Sequence, residues 1–279
     1  MRIRYRFTLP DRTERTFDVQ LDPETLVFVP PDTDAEPPAW TALENAQCPN
    51  CPLATVPGAR CPVAVNLDPV IQGFHDSISY EVATISIETE ARTYTKRAPL
   101  QQGISGLVGL IMSTSGCPVL DRLRPMVRNH VPFATIEETT YRAMAMYALA
   151  QFFVQRRGGE PEWDMQGLAR VYDEVRKVNK AFVKRLHTLK IEDASLNAVV
   201  NLDVFASFTT MSIASNTLDE VEALFTAYLA GTFPSGASAP APAPARPQPA
   251  PRIPPTPKDR SPMDALSRHL IWEPEPDEQ

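Results

Sequence analysis

Hydrophobic and polar positions alternate strictly at the start of the chain. Ile3, Tyr5 and Phe7 fall between Arg2, Arg4 and Arg6, a period of two that gives a strand one dry and one wet face. Pro10-Asp11 supplies a turn, and Phe17, Val19 and Leu21 return with the same period, so these two segments form a hairpin. A second strand pair is predicted over residues 77–88 and 91–97. Ile78, Tyr80 and Val82 alternate there, and Ile85 and Ile87 then resume out of phase, which predicts a bulge at Ala83-Thr84.

Beyond Pro99 the pattern turns helical. Residues 101–113 are mostly apolar, and Thr135-x-x-Glu138 is a capping box opening a helix that runs to about Arg156. Met144, Met146, Tyr147, Leu149, Phe152 and Phe153 leave that helix little polar face, so it is expected to be central and buried. Leu168, Val171, Tyr172, Val175, Val178, Phe182, Leu186 and Leu189 mark a long amphipathic helix. Residues 194–215 read as another buried helix, and Thr217-x-x-Glu220 caps a last one that ends on Gly231. The fold class is α+β: a small N-terminal antiparallel β-sheet (β-rich residues 1–98) followed by a helical bundle (99–231), together one domain.

Composition changes at Gly231. Of the 29 prolines, 13 lie at or after Pro234, in a run of Pro, Ala and short polar residues too apolar-poor to offset its ordering entropy. Residues 232–260 are therefore expected to be a disordered, semi-extended linker. Residues 261–273 carry Ser261 as an N-cap and Pro262 at the first helical position. Met263, Leu266 and Leu270 share a face, with Ile271 and Trp272 beside them. That is the pattern of a short docking helix for a protein partner, with folding back on its own domain as the alternative; residues 274–279 form an acidic end. The net charge of −7 argues against a general nucleic-acid binder. No apolar run reaches the roughly 18 residues of a membrane span, and the Arg-rich start has no secretory pattern. A cytoplasmic protein that binds neither nucleic acid nor membrane is the expectation.

The chemistry lies in four cysteines, each followed by proline: Cys48, Cys51, Cys61 and Cys117. The first three form C-x2-C-x9-C within a loop-like stretch, residues 47–66. Four thiolates can close a tetrahedral zinc site or hold an iron–sulfur cluster. Proline at position 52, with its fixed φ and missing N–H, disfavours the glycine-containing zinc-ribbon knuckle, so an iron–sulfur cluster is placed ahead of zinc. A domain of some 230 residues should not need a metal merely to fold. A second reading makes Cys117 a reactive redox thiolate. Pro118 would place it as the N-cap of a helix over residues 119–123, with the helix dipole, Arg122 and Arg124 lowering its pKa. A third reading is a non-catalytic interaction module whose cysteines only staple the loop.

Other residues carry bland readings. His130 precedes the capping box and could face the Cys117 loop, but ordinary hydrogen bonding accounts for it. Glu138 is explained as a cap, and Arg122, Arg124 and Arg128 as a solvated helix face with salt bridges. Gly103, Gly106 and Gly109, three apart, suit close helix packing and match no phosphate-binding loop. No nucleophile elbow or zincin motif is present, so no reaction can be named.

The run from Gly106 through Ser115-Gly116-Cys117-Pro118, the stretch His130 to Thr139, and Cys48-Pro49-Asn50-Cys51-Pro52-Leu53 with Cys61-Pro62 together resemble an uncharacterised bacterial family known only as a domain of unknown function. The likeness covers roughly residues 1–231 and leaves the linker and terminal peptide outside. It implies a bacterial cytoplasmic setting and no activity.

Overall fold

The computed structural model of the chain describes residues 1–31, 35–54, 56, 58–214 and 218–231. It divides into two compact units, Met1–Thr226 and Ala227–Gln279; of the second, only residues 227–231 are described. The expected linker 232–260, docking helix 261–273 and acidic end 274–279 lie outside the described residues, as does the Thr217 cap.

Strands β1 (Arg2–Thr8), β2 (Glu14–Gln20), β3 (Val82–Thr89) and β4 (Thr93–Pro99) form one antiparallel sheet in the order β2-β1-β3-β4. The alternation in β1 is realised as read: Ile3, Tyr5 and Phe7 are fully buried on one face with Val19, Ala83, Ile85, Ile87 and Ala98. On the other face Arg2 and Arg4 both bind Asp18, each at 2.9 Å, and hold its carboxyl down to about 2. The bulge expected at Ala83-Thr84 is not there. Pairing of β3 with β4 runs unbroken from Val82↔Pro99 to Glu88↔Thr93. The change of phase has a simpler cause: the strand begins only at Val82, and Ile78 and Tyr80 belong to the preceding loop, where both side chains are exposed.

One helix was not foreseen. α1 (Pro62–Gly73) begins directly after Cys61, its N-cap, with Pro62 in the first turn, where proline's missing N–H costs nothing. The same dipeptide rule was applied at Cys117-Pro118, whereas here it marks a real helix start. Pro69 inside α1 hid the helix from the sequence reading.

α2 (Leu100–Thr114) is the central element, with residues buried along its whole length. It lies close on the sheet because its glycines leave room. A Cβ at Gly103 would stand 2.7 Å from both Phe7 and Ile85, and one at Gly106 would stand 3.3 Å from the Tyr5 hydroxyl. After α2 a 3-10 segment, Leu120–Asn129, leads to α3 (Ile136–Arg156), which opens with the predicted Thr135–Glu138 capping box. α4 (Gln166–Leu186) buries its amphipathic stripe against α5 (Asp193–Ala214), and α5 also packs on α2, where the Ser105 hydroxyl donates to the Ala198 carbonyl at 3.1 Å. Among the described helices, α5 alone is long and apolar enough to cross a bilayer, by length and composition only. Two short helices follow, α6 (Asp219–Ala223) and α7 (Thr226–Leu229), and Gly231 takes the positive φ of 66° expected of a helix-ending glycine.

The expectation for α3 was wrong. Only Thr140, Ala143 and Tyr147 are buried, whereas Tyr141, Leu149, Phe152 and Phe153 are exposed. The sheet has one apolar face, and α1, α2, α4 and α5 already fill the volume above it. Apolar residues all round a helix thus did not mean burial here; that place belongs to α2.

The seam under Gly103 carries a direct test. Gly103→Ala gains helix propensity of up to about 1 kcal/mol but overpacks the ring of Phe7. A net loss of about 1–2 kcal/mol in denaturant unfolding is expected; unchanged stability would show that α2 can lift from the sheet.

Candidate metal centre

Three separate segments bring the cysteines together. Cys48 and Cys51 lie on the loop before α1, where the Cys51 N–H donates to the Cys48 carbonyl at 3.1 Å and closes a turn. Asn50, between them, ties this turn to α4: its amide donates to the Glu174 carbonyl at 3.0 Å and the Glu174 carboxylate at 2.8 Å. Cys61 is fixed at the start of α1 by donating its N–H to the Thr41 carbonyl at 2.8 Å. Cys117 arrives from the end of α2, where Gly116 takes a φ of 81°, a turn that few other residues allow. All four line one small cavity of about 20 Å³, with Leu43, Val178, Phe182 and Arg185 among its walls. The four cysteines are not joined by disulfides.

The setting acts on the thiols in a consistent direction. Burial, and then the neighbouring Cys61, Cys51 and Cys117, push the Cys48 thiol up to about 12. Cys117 is also raised. Burial is the larger cause, and the Leu120 and Val119 N–H groups, which favour the thiolate, offset it only in part. The expected lowering of the Cys117 pKa is therefore corrected. Its carbonyl does accept from Asp121 N–H at 2.9 Å at the entry to the 3-10 segment, but the cap of that segment is Val119. Among the described residues, no group of three or more His, Cys, Asp or Glu side chains is placed so that it could hold a metal ion. The four cysteines share a cavity lining and not a ligand geometry.

Arg185 is the residue the sequence reading missed. It continues the buried stripe Val175, Val178, Phe182 of α4, at the spacing of an apolar position, and is only 2% exposed. Its guanidinium donates to three main-chain carbonyls, of Trp40 at 2.8 Å, Ala42 at 2.6 Å and Leu43 at 3.1 Å. The described ion pairs bring no carboxylate to it. Burial lowers its pKa and is the larger cause; Cys61, Cys48 and Cys51 offset it only in part. A charged residue inside an otherwise apolar helical stripe was the available signal.

Over residues 3–226 the chain matches the family model described as a domain of unknown function, DUF6901. The chain belongs to the DUF6901 family. No curated protein and no solved structure matches it. The DUF6901 match takes in the sheet, the helices through α6 and all four cysteines, and it leaves the proline-rich end of the chain outside.

The remaining candidates of the DUF6901 domain resolve as structural groups. Arg124 pairs with Asp121 at 2.8 Å, and Glu138 caps α3 with Thr135. His130 meets the Tyr5 hydroxyl at 2.6 Å, beside Gly106 of α2. Burial, then the nearby Arg142 charge, lowers the imidazole to about 4. The sign follows: the unfolded chain takes up the proton first, near 6.5, so stability is present above that pH and is lost as pH falls towards 4. His130→Gln should flatten the fall in thermal midpoint across that window, and a profile parallel to the parent's would place the acid sensitivity elsewhere.

Proposed function

We propose that the DUF6901 domain is a metal-binding module, with Cys48, Cys51, Cys61 and Cys117 as the ligands of one inorganic centre. It would serve as a cytoplasmic sensor or adaptor whose C-terminal peptide, Met263, Leu266, Leu270, Ile271 and Trp272, docks a protein partner. The observation that carries the reading is the buried Arg185 beside four thiols. A buried cation without a counter-charge costs several kcal/mol, and neutral thiols do not repay it. A bound metal deprotonates its cysteine ligands, which supplies the missing negative charge beside the guanidinium. The sharing of one cavity by the four cysteines, from segments far apart in sequence, supports the same reading. Binding would draw them inward from their present positions.

The alternative of Cys117 as a redox nucleophile has less support, because burial raises its thiol. The N–H groups of Val119 and Leu120 at its sulfur serve a ligand thiolate equally well.

The full chain, purified without air or chelator, should carry stoichiometric transition metal by elemental analysis. Cys48→Ser and Cys117→Ser should each lose most of it while keeping the helical circular dichroism of the parent; metal-free parent protein that stays folded would end the proposal. Removal of residues 261–279 should leave metal content and folding unchanged and abolish recovery of the partner in pull-downs, and equal recovery would remove the docking role.

A further inference from the structure

We infer that the centre takes a single tetrahedral ion of the zinc class rather than an iron–sulfur cluster, with Arg185 as the residue that offsets the charge of its four thiolates. This rests on the reading of the cysteines as ligands and narrows it. Two observations carry it together.

The first is size. The whole cavity that the four cysteines help to line has a volume of about 20 Å³, which is room for little more than one water-sized body. A bare divalent ion with its sulfurs at about 2.3 Å fits such a space when the thiolates turn inward. A cluster of several irons and sulfides does not, unless α4 and the loop move apart. That movement is opposed by the grip of Arg185 on the carbonyls of Trp40, Ala42 and Leu43, and by the bonds of Asn50 to Glu174.

The second is charge. Four thiolates and a divalent ion sum to about −2 in an apolar surround, an arrangement that calls for a nearby cation. Arg185 is that cation, 2% exposed and held by neutral carbonyls that leave its charge unspent.

The test uses the full chain, stripped of metal and divided into two anaerobic reconstitutions. One receives zinc alone, with cobalt(II) as a parallel spectroscopic probe; the other receives ferrous iron, sulfide and thiol. About one zinc per chain is expected, with the intense visible bands of tetrahedral cobalt–thiolate and no acid-labile sulfide retained in the second arm. Retention of two or more irons with matching sulfide would overturn the single-ion inference and leave the metal-centre reading standing. Failure of both arms would remove both. For Arg185, Arg185→Met should weaken zinc binding by roughly 10–100-fold, and Arg185→Lys, which keeps the charge, should recover most of it. Arg185→Met protein that is folded by circular dichroism and binds zinc with the parent's affinity would show the guanidinium to be structural only.

Discussion

A positive charge that has been taken out of water, with no carboxylate paired to it among the described residues, dominates the helical part of this domain. Arg185 stands where the stripe of α4 calls for an aliphatic side chain, and its three bonds to carbonyls of the 40–43 segment satisfy donors without neutralising charge. Desolvating such a group is expensive, and hydrophobic isosteres are often as stable or more so. Its presence is therefore better explained by what it faces than by what it holds together. It faces sulfur from three parts of the chain.

The rest of the fold can be seen as the frame that makes this meeting possible. The sheet offers one dry face, and α2 lies down on it through glycine contacts close enough to touch Phe7, Ile85 and Tyr5. That close seating sets where α2 ends, and Gly116 then swings Cys117 back towards the start of α1. On the other side, α4 packs with α5 and presents Val178, Phe182 and Arg185 to the same point. No single element contains the site. Its geometry is a property of helix packing, held by a core large enough to fold without a metal.

Much of this was legible in the residues, and the parts that were not share a cause. Alternation over Ile3, Tyr5 and Phe7 read directly as β1 because one residue period maps to one face. The Thr135–Glu138 box located the start of α3 to the residue, since capping is a local interaction. What α3 packs against is not local, and its apolar composition misled: Leu149, Phe152 and Phe153 stay exposed, while α2 takes the place on the sheet. The convergence of Cys117 on the other three cysteines is inferred from residue count and chemistry; in the structure all four are among the residues lining one cavity, without forming a group placed to hold a metal ion. The effect on its thiol was misjudged, because a dipole argument sees the helix start and not the side chains that bury it. Arg185 escaped notice for the same reason, since a charge in an apolar stripe gains meaning only once its neighbours are known.

The order in which the cavity is assembled has a consequence for synthesis. Cys48, Cys51, Cys61 and Cys117 all emerge from the ribosome before Arg185 does, with most of α3 and α4 still to be made. At about 5–20 residues per second, the nascent chain spends several seconds with four accessible thiols and no completed wall to shelter them. During that interval they are open to cellular oxidants and to any loosely held ion, and the arrival of the C-terminal turn of α4 closes that window.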